Sequence, residues 1–223
     1  MDDNPSQTRG INRGRRIKMK SRKQRFLLSR VILISVVLAW TGSSFAEIKY
    51  APGKYEIDTV HTRVSFTVPH FVISQVEGRF NDVKGSFTLG EPFSASQASV
   101  TVQIESIDTG VKMRDDDLRS KNFFEVSKYP TMTVVAKSFR GKPESCKVVG
   151  ALTIKDVTKE VTFDGKYTGV VKDPWGNQRA AIQLTGVINR RDFHINYSES
   201  VDIGPAIGDA VTIRIFADGI IKK

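Results

Sequence analysis

The chain has 223 residues, a formal net charge of +10 and a single cysteine, Cys146. The charge is unevenly placed, because residues 1–46 hold ten basic and two acidic side chains, which leaves 24 basic and 22 acidic side chains in residues 47–223. A nearly neutral body of this kind lacks the basic groove that nucleic-acid phosphates require, so a nucleic-acid partner is excluded. One cysteine also excludes an intrachain disulfide and a cysteine cluster for zinc or iron–sulfur.

The leader, residues 1–46, has the pattern of an export signal. A polar, basic stretch precedes an apolar run of 15 residues (26–40), which is shorter than the roughly 20 residues of a membrane-spanning helix. Small residues then lead to Ala46, and this order predicts a signal peptide that is cut after Ala46. The mature chain, residues 47–223, is therefore expected in the periplasm. An uncleaved N-terminal anchor is the alternative, and Met19 is a second candidate for the start of the chain.

Beyond the leader, apolar and polar residues alternate in several stretches that are rich in β-branched and aromatic side chains. Period two is typical of strands with one buried face. Gly, Pro, Asp and Asn separate the stretches, and these short connections predict hairpins and hence an antiparallel sheet. Periodicity alone leaves a sandwich and a closed barrel open. The clearest alternating stretches are residues 63–68, 100–105, 182–189 and 211–216.

One segment, residues 113–124, breaks this alternation and is predicted to be helical. Three acidic residues, Asp115 to Asp117, lie in its first turn, and Arg119 and Lys121 lie towards its end, which complements the helix dipole. The segment is expected to end before Pro130, since the residue before a proline is disfavoured in a helix.

Five blocks of the sequence resemble, in the same order, the YceI-like family. They are residues 55–70, 76–87, 114–124 with Tyr129-Pro130, 150–159 and 189–193. The resemblance implies an all-β fold, an extended antiparallel eight-stranded lipocalin-like β-barrel with a short helix, spanning residues 47–223. In one departure, His194 follows Asp192-Phe193 where the family usually has glycine, which affects the local backbone.

The resemblance also implies a function. Members of the family are secreted or periplasmic and bind long amphiphilic chains, so this chain is expected to sequester a polyisoprenoid, an isoprenoid quinone or a similar lipid in an apolar cavity. On periodicity alone, a filled core is the commoner outcome of such strands. The expected lining of the lipid tail is Phe66, Val68, Phe71, Phe80, Phe87, Val102, Ile104, Phe123, Phe124, Leu152, Ile154, Ile182, Leu184, Phe193, Ile213 and Ile215.

Polar residues near the barrel mouth are expected to recognise the head group. Arginine side chains hold phosphate through forked donors, and a carboxylate accepts a hydrogen bond from a hydroxyl. The alternative is that these residues are solvated charges or structural pairs. The candidates are His61, Arg63, Arg114, Asp117, Arg119, Asn122, Arg191 and Asp192.

Other functions are less favoured by the sequence. An enzyme is not expected, because the chain has no nucleophile elbow, phosphate loop or His-Glu-x-x-His motif, and no cofactor is implied. A metal-binding module using His61 and His70, or an interaction protein with a filled barrel, is the alternative. Cys146 is expected in a polar turn, where it would be open to pairing between chains. Transient membrane contact and a homodimer stay open.

Overall fold

Thirteen strands and one α-helix make up most of the regular structure in residues 49–221, the part of the chain that this computed structural model describes. Helix α1 (Lys112–Arg119) lies between the sixth and seventh strands, and short 3-10 turns occur at Phe93–Ala95, Ile104–Ser106 and Arg190–Phe193. The strands are β1 (Gly53–Ile57), β2 (Arg63–His70), β3 (Ser74–Phe80), β4 (Val83–Leu89), β5 (Gln97–Gln103), β6 (Ile107–Asp108), β7 (Thr131–Lys142), β8 (Ser145–Ile154), β9 (Val157–Lys172), β10 (Gln178–Asn189), β11 (Ser200–Val201), β12 (Gly204–Pro205) and β13 (Ala210–Ile221).

The sheet closes on itself. Its strands are neighbours in the order β1-β4-β5-β7-β8-β9-β10-β13, and β13 pairs back with β1 to complete a ring of eight. All of these pairings are antiparallel. Beyond the end of β1, strand β2 replaces β1 as the partner of β13. Strand β3 then pairs with β2, and β6 pairs with β3, which extends the wall. The predicted eight-stranded antiparallel barrel with a short helix is therefore confirmed.

Strand β10 illustrates how the alternating sequence produces an apolar interior. Ile182 and Leu184 point into the barrel, whereas Gln183 and Val187 are exposed on its outer surface. On the neighbouring strand β13, Ile215 lies opposite Leu184 and continues the same inner face. Because every second residue of each strand faces inward, the inner surface is built almost entirely from aliphatic and aromatic groups.

The end of the barrel where β1 begins and β13 ends is filled by aromatic rings, and we call it the closed end. Tyr50 packs edge-to-face against Phe93 at 6.0 Å and against Tyr167 at 5.4 Å between ring centroids, and Phe93 packs against Phe139 at 5.5 Å. Tyr167 is fully buried, and burial raises its pKa to about 12. These rings exclude water from this end of the interior.

The opposite end, called the open end, is built from less regular structure. It carries the turn between β2 and β3, helix α1 and the long segment 194–209 that leads into β13. That segment is fastened to the β2–β3 hairpin, because the Phe71 amide donates to the carbonyl of Ala206 at 2.9 Å and the Gly208 amide donates to the carbonyl of Pro69 at 2.9 Å.

The helix is shorter than the sequence predicts. The expected helix over residues 113–124 is wrong in its second half, since α1 ends at Arg119 and residue Ser120 is extended. The Ser120 hydroxyl and the Asn122 side-chain amide both donate to the Asp117 carboxylate, at 3.3 and 3.1 Å. Short polar side chains that bond locally compete with helical backbone bonds, which ends the helix here.

Cys146 is not in a polar turn, and that expectation is wrong. The β7–β8 turn is tight, with Lys142 paired to Ser145, so strand β8 has already begun at Cys146. The thiol lies on the inner face of β8 and is buried, and burial raises its pKa. A buried thiol of this kind is not presented to another chain.

The predicted signal peptide over residues 1–46 lies outside the described residues, so its cleavage and the periplasmic location stay predictions. Residues 44–223 form one compact unit of the chain. Among residues 49–221, no helix is both long and apolar enough to cross a membrane.

His194, which stands where the family usually has glycine, has a backbone conformation that glycine favours. His194 ends the 3-10 turn Arg190–Phe193 in the left-handed conformation, with φ 58° and ψ 28°. Glycine adopts this conformation without steric cost, whereas other L-residues are strained there by about 1–2 kcal/mol. The backbone therefore keeps the geometry that glycine favours, and His194 reaches Asp156 through its Nδ1 atom at 3.2 Å.

Replacing His194 tests this strain. We expect His194→Gly to be more stable than His194→Ala by about 1 kcal/mol, because both variants lose the exposed contact to Asp156 but only glycine relieves the left-handed backbone. Urea unfolding of both variants measures the difference in the free energy of unfolding. Equal stabilities would contradict the assignment of strain to this residue.

Candidate ligand-binding cavity

The barrel interior contains two adjoining cavities. The lower cavity, towards the closed end, has a volume of about 90 Å³ and walls of almost purely apolar groups. The upper cavity, towards the open end, has a volume of about 490 Å³ and opens to solvent. Four side chains belong to both walls, so the two cavities meet at one level of the barrel. These are Val64, Met132, Ile154 and Ile213.

Thirteen of the sixteen residues expected to line a lipid tail lie on these walls. Those of the lower cavity are Phe87, Val102, Leu152, Ile182, Leu184 and Ile215, with Ile154 and Ile213 at the junction. Those of the upper cavity are Phe66, Val68, Phe80, Phe123 and Phe124. Whether they contact a ligand stays a prediction.

The other three expected lining residues lie away from both cavities. Phe71 is 41% exposed at the tip of the β2–β3 turn, because β2 ends before it and the chain reverses there. Ile104 belongs to a 3-10 turn after β5, so the alternation of that strand no longer directs it into the cavity. Phe193 is buried in the core under the last 3-10 turn.

Several wall residues were missed by the sequence analysis. Val64 and Met132 alternate with polar neighbours on β2 and β7, so the period-two pattern was sufficient to find them. Ile195, Tyr197 and Ile207 also line the upper cavity, but they lie in the irregular segment 194–209, where no periodicity marks the inner face.

Aromatic rings form one side of the upper cavity. Phe66 lies 5.7 Å from Phe80, and Phe80 lies 6.1 Å from Phe124 in edge-to-face contact, measured between ring centroids. Gly78, opposite Phe66 on β3, leaves room for this ring, since a Cβ atom there would lie 2.3 Å from the Phe66 Cζ atom. The absence of a side chain at Gly78 therefore sets the position of the aromatic wall.

Three of the expected head-group residues lie together at the mouth of the upper cavity. Arg114 and Asp117 are on its wall, and Asn122 donates to the Asp117 carboxylate. Arg114 also donates to the hydroxyl and carbonyl of Thr109, at 2.7 and 3.0 Å, and the Thr109 hydroxyl donates to the buried Asp115 at 2.6 Å. This network holds Arg114 beside the opening.

The remaining five expected head-group residues are not on the cavity walls. Arg119 donates to the carbonyls of Glu105 and Ile107, at 3.0 and 2.8 Å, and so fastens α1 to β6. The other four are exposed. His61 pairs with Asp58, and Arg191 pairs with Asp209. Arg63 lies on β2, and Asp192 lies in the last 3-10 turn. Sequence position did not reveal on which surface of the barrel each side chain would emerge.

Arg190, which the sequence analysis did not select, fastens the segment that borders the mouth. Its side chain is 4% exposed, and burial lowers its pKa. Its guanidinium donates to four backbone carbonyls and pairs with Asp209 at 3.1 Å. The four carbonyls, with their distances, belong to Ile195 (2.7 Å), Tyr197 (2.7 Å), Ile207 (3.2 Å) and Gly208 (3.0 Å).

A second charged cluster lies on the barrel wall near the start of β2 and is separate from the cavities. Arg179 bonds to three carboxylates, those of Asp58 at 2.7 Å, Asp173 at 3.1 Å and Asp218 at 3.2 Å. Burial would raise the pKa of Asp58, but hydrogen bonds from Arg179 and His61 outweigh burial and hold this pKa at about 2. The cluster ties the link between β1 and β2 to β10 and β13.

The two histidines that suggested a metal site lie apart in the fold. His61 belongs to the link between β1 and β2, whereas His70 lies at the far end of β2 and on the wall of the upper cavity. Within residues 49–221, no group of three or more His, Cys, Asp or Glu side chains is arranged to hold a metal ion.

Comparison with known proteins agrees with the fold described above. The family model described as the YceI-like domain matches residues 55–218. The chain belongs to the YceI-like family. Protein YceI from Salmonella agona is 35% identical over 190 residues, which cover 82% of this chain and 97% of that protein.

Solved structures of related proteins have the same barrel. A Campylobacter jejuni YCEI protein is 30% identical, with a TM-score of 0.60, over 78% of this chain and 99% of that one. A polyisoprenoid binding domain from Saccharophagus degradans has a TM-score of 0.55 and 16% identity, over 74% of this chain and 97% of that domain. At that identity, the second likeness shows the YceI-like fold alone.

The role of Arg190 is testable by removing its charge. We expect Arg190→Met to lower the free energy of unfolding by about 3 kcal/mol, because buried carbonyls lose their donor. We also expect faster proteolysis within residues 194–209. Arg191→Met is the matched control, and we expect it to cost under about 1 kcal/mol, since its pair with Asp209 is exposed. Equal losses in the two variants would contradict this role.

The Asp58 carboxylate predicts a dependence of stability on acid. Its pKa of about 2 lies below the ordinary 3.8, so it contributes about 2 kcal/mol that is fully present above pH 4 and is lost as the pH falls towards 2. Urea unfolding should therefore show Asp58→Asn to be less stable than the parent at pH 7, and the gap should close near pH 2. Glu160→Gln, in the exposed Lys137–Glu160 pair, is the control and should show a much smaller change. A gap for Asp58→Asn that is constant with pH would contradict the assignment.

Proposed function

We propose that this protein is a periplasmic carrier that binds one long-chain isoprenoid-type amphiphile, with the tail in the barrel and the head group at the open end. The observation that carries the proposal is the upper cavity, which has a volume of about 490 Å³ and apolar walls, and which adjoins a second apolar cavity deeper in the barrel. Its volume lies in the range of about 300–1,000 Å³ that is typical of small-molecule sites.

The chemistry of the walls favours a hydrocarbon tail over a polar ligand. Polar atoms contribute very little of the lower cavity's surface, so a polar ligand would lose hydration there without gaining hydrogen bonds. Burial of each methylene group is worth about 0.8 kcal/mol relative to water, so a tail gains free energy with every unit that enters. A bilayer offers the same gain, and selection of the ligand therefore depends on the shape of the cavity and on its mouth.

The mouth supports an amphiphile because polar side chains border an otherwise apolar cavity. Arg114 and Asp117 lie beside the opening and the aromatic wall lies below them. Residual donors of Arg114 and the Asp117 carboxylate are positioned for hydrogen bonds to a polar head group. We assign no chemical step on the ligand to these residues.

The family and the leader add support. The Saccharophagus degradans domain that shares the fold is described as polyisoprenoid binding, and long isoprenoid chains suit an elongated, dry barrel. The signal-peptide pattern of residues 1–46 supports a periplasmic location. Organic extraction of the purified protein, followed by mass spectrometry, tests the proposal directly, and we expect a long-chain isoprenoid-type lipid in the extract.

Leu184→Trp tests the placement of the tail. Leu184 lies on the wall of the lower cavity, and an indole in its place occupies most of that volume of about 90 Å³. We expect the extract of this variant to hold less lipid, and shorter chains, than that of the parent, because the deep part of the barrel is obstructed.

Val187→Trp is the matched control, since Val187 is on the same strand but is 60% exposed on the outer surface. We expect its lipid content to equal that of the parent. Unchanged lipid in a folded Leu184→Trp variant would contradict the placement of the tail, and protein that never contains a long-chain amphiphile would contradict the proposed function.

A further inference from the structure

Five large apolar side chains project into solvent around the opening of the upper cavity, and we call them the apolar rim. Three lie on the β2–β3 turn, namely Phe71, Val72 and Ile73, which are 41%, 57% and 82% exposed. Ile203 in the segment 194–209 is 63% exposed, and Met113 at the start of α1 is 81% exposed. Exposed apolar groups that gather around one opening are typical of an interaction surface.

The members of the apolar rim come from three segments that the fold holds together. The Phe71 amide donates to the carbonyl of Ala206, so the turn and the segment with Ile203 are hydrogen-bonded neighbours. A Cβ atom at Gly204 would lie 3.1 Å from Val72. Met113 lines the upper cavity on the side of α1. The rim is therefore continuous with the mouth and with the apolar interior.

Charge is scarce on the projecting segments. Residues 70–75 contain no Asp, Glu, Lys or Arg, and neither do residues 203–208. Lys112, beside Met113, pairs with Asp116 at 2.6 Å. Val72 has φ 65°, an unusual conformation for a β-branched residue. The tip of the β2–β3 turn enters an apolar phase without the cost of burying a charge, whereas Ile203 and Met113 lie beside the charged Asp202 and Lys112.

The shape of the rim favours a bilayer over a second copy of the chain. A stable protein interface covers about 800 Å² on each partner and needs matching surfaces. Five side chains present far less area than this. A fluid lipid interface needs no matching shape, and apolar groups enter it to a depth of about 5–10 Å.

We propose that the apolar rim docks the open end onto the surface of a lipid bilayer, so that a tail moves between bilayer and barrel without crossing water. The inference rests on the proposed function, because a bilayer is the phase from which a long-chain isoprenoid is taken. Docking places the mouth against the lipid, so the methylene groups of the tail pass between bilayer and barrel without being exposed to water.

The test is flotation of the mature chain, residues 47–223, with phosphatidylcholine vesicles and with phosphatidylethanolamine–phosphatidylglycerol vesicles. We expect the parent to float with both compositions, since the rim is apolar rather than charged. The double variant Ile73→Ser/Met113→Ser should lower the partition coefficient about a hundredfold, because each lost apolar side chain accounts for about tenfold, which corresponds to about 1.4 kcal/mol of transfer free energy.

Trp175→Ser is the matched control. Trp175 is 80% exposed in the β9–β10 turn at the closed end, so its loss removes an equally exposed apolar group at the wrong end of the barrel. We expect this variant to float like the parent, and unfolding midpoints should show that the rim variant is as stable as the parent. The inference is overturned if the parent does not float, if the rim variant floats as well as the parent, or if the control loses binding.

Two measurements on the same preparations separate this inference from the proposed function. Extraction and mass spectrometry report the lipid in the barrel, so lipid-loaded protein that ignores vesicles overturns the docking inference alone. Empty protein that floats through its rim overturns the proposed function alone. Sedimentation of the parent and the rim variant reports self-association, and a dimer that the rim variant abolishes would assign the rim to a second copy instead.

Discussion

A closed antiparallel ring turns every second side chain towards one shared interior, and the size of these side chains decides how much space is left. Near the closed end the wall consists of complete strands, and rings such as Phe139 and Phe163 leave only about 90 Å³. Near the open end, β2 and β3 join β7, β8, β10 and β13 in the wall, with α1 and the segment 194–209 completing it. The larger cavity of about 490 Å³ lies where regular strands give way to these pieces. The interrupted strands are thus the structural origin of the space.

Irregular backbone at the open end requires its own source of stability, because the short β11–β12 pair and the bond to the Phe71 amide engage only some of its carbonyl groups. Arg190 supplies this by donating to four carbonyls of the segment 194–209. The Arg190 guanidinium on the cavity wall therefore donates its hydrogen bonds to the protein's own backbone, and Arg114 likewise donates to Thr109. Few polar groups at the mouth are left for the proposed head group, while the rest of the cavity wall is apolar. A site of this composition binds by shape and hydrophobicity more than by charge.

The sequence predicted the barrel and most of the cavity wall because period two reports directly on which face of a strand is buried. Leu184 and Ile215 follow this rule. The rule ends where strands end, so Ile104 and Phe71 were misplaced, and Ile195 and Tyr197 were missed. Charged residues carried less information still, since the inner or outer position of Arg191 or Arg114 depends on the path of a turn. The helix was predicted too long because local bonds of Ser120 and Asn122 to Asp117 were not visible in the pattern.

The aromatic closure of one end also gives the barrel a direction. In the proposed carrier, the contacts among Tyr50, Phe93 and Tyr167 would make a guest chain enter and leave by the open end, with its terminal methyl group innermost. The 12 residues of β10 span about 40 Å along the tilted strand, which is on the order of 30 Å along the barrel axis, so the distance from the closed end to the open end is fixed by the fold. In the proposed carrier, a chain longer than this distance would fold back on itself or leave its polar group outside the barrel. The closed end would therefore make the proposed binding depend on the length of the chain.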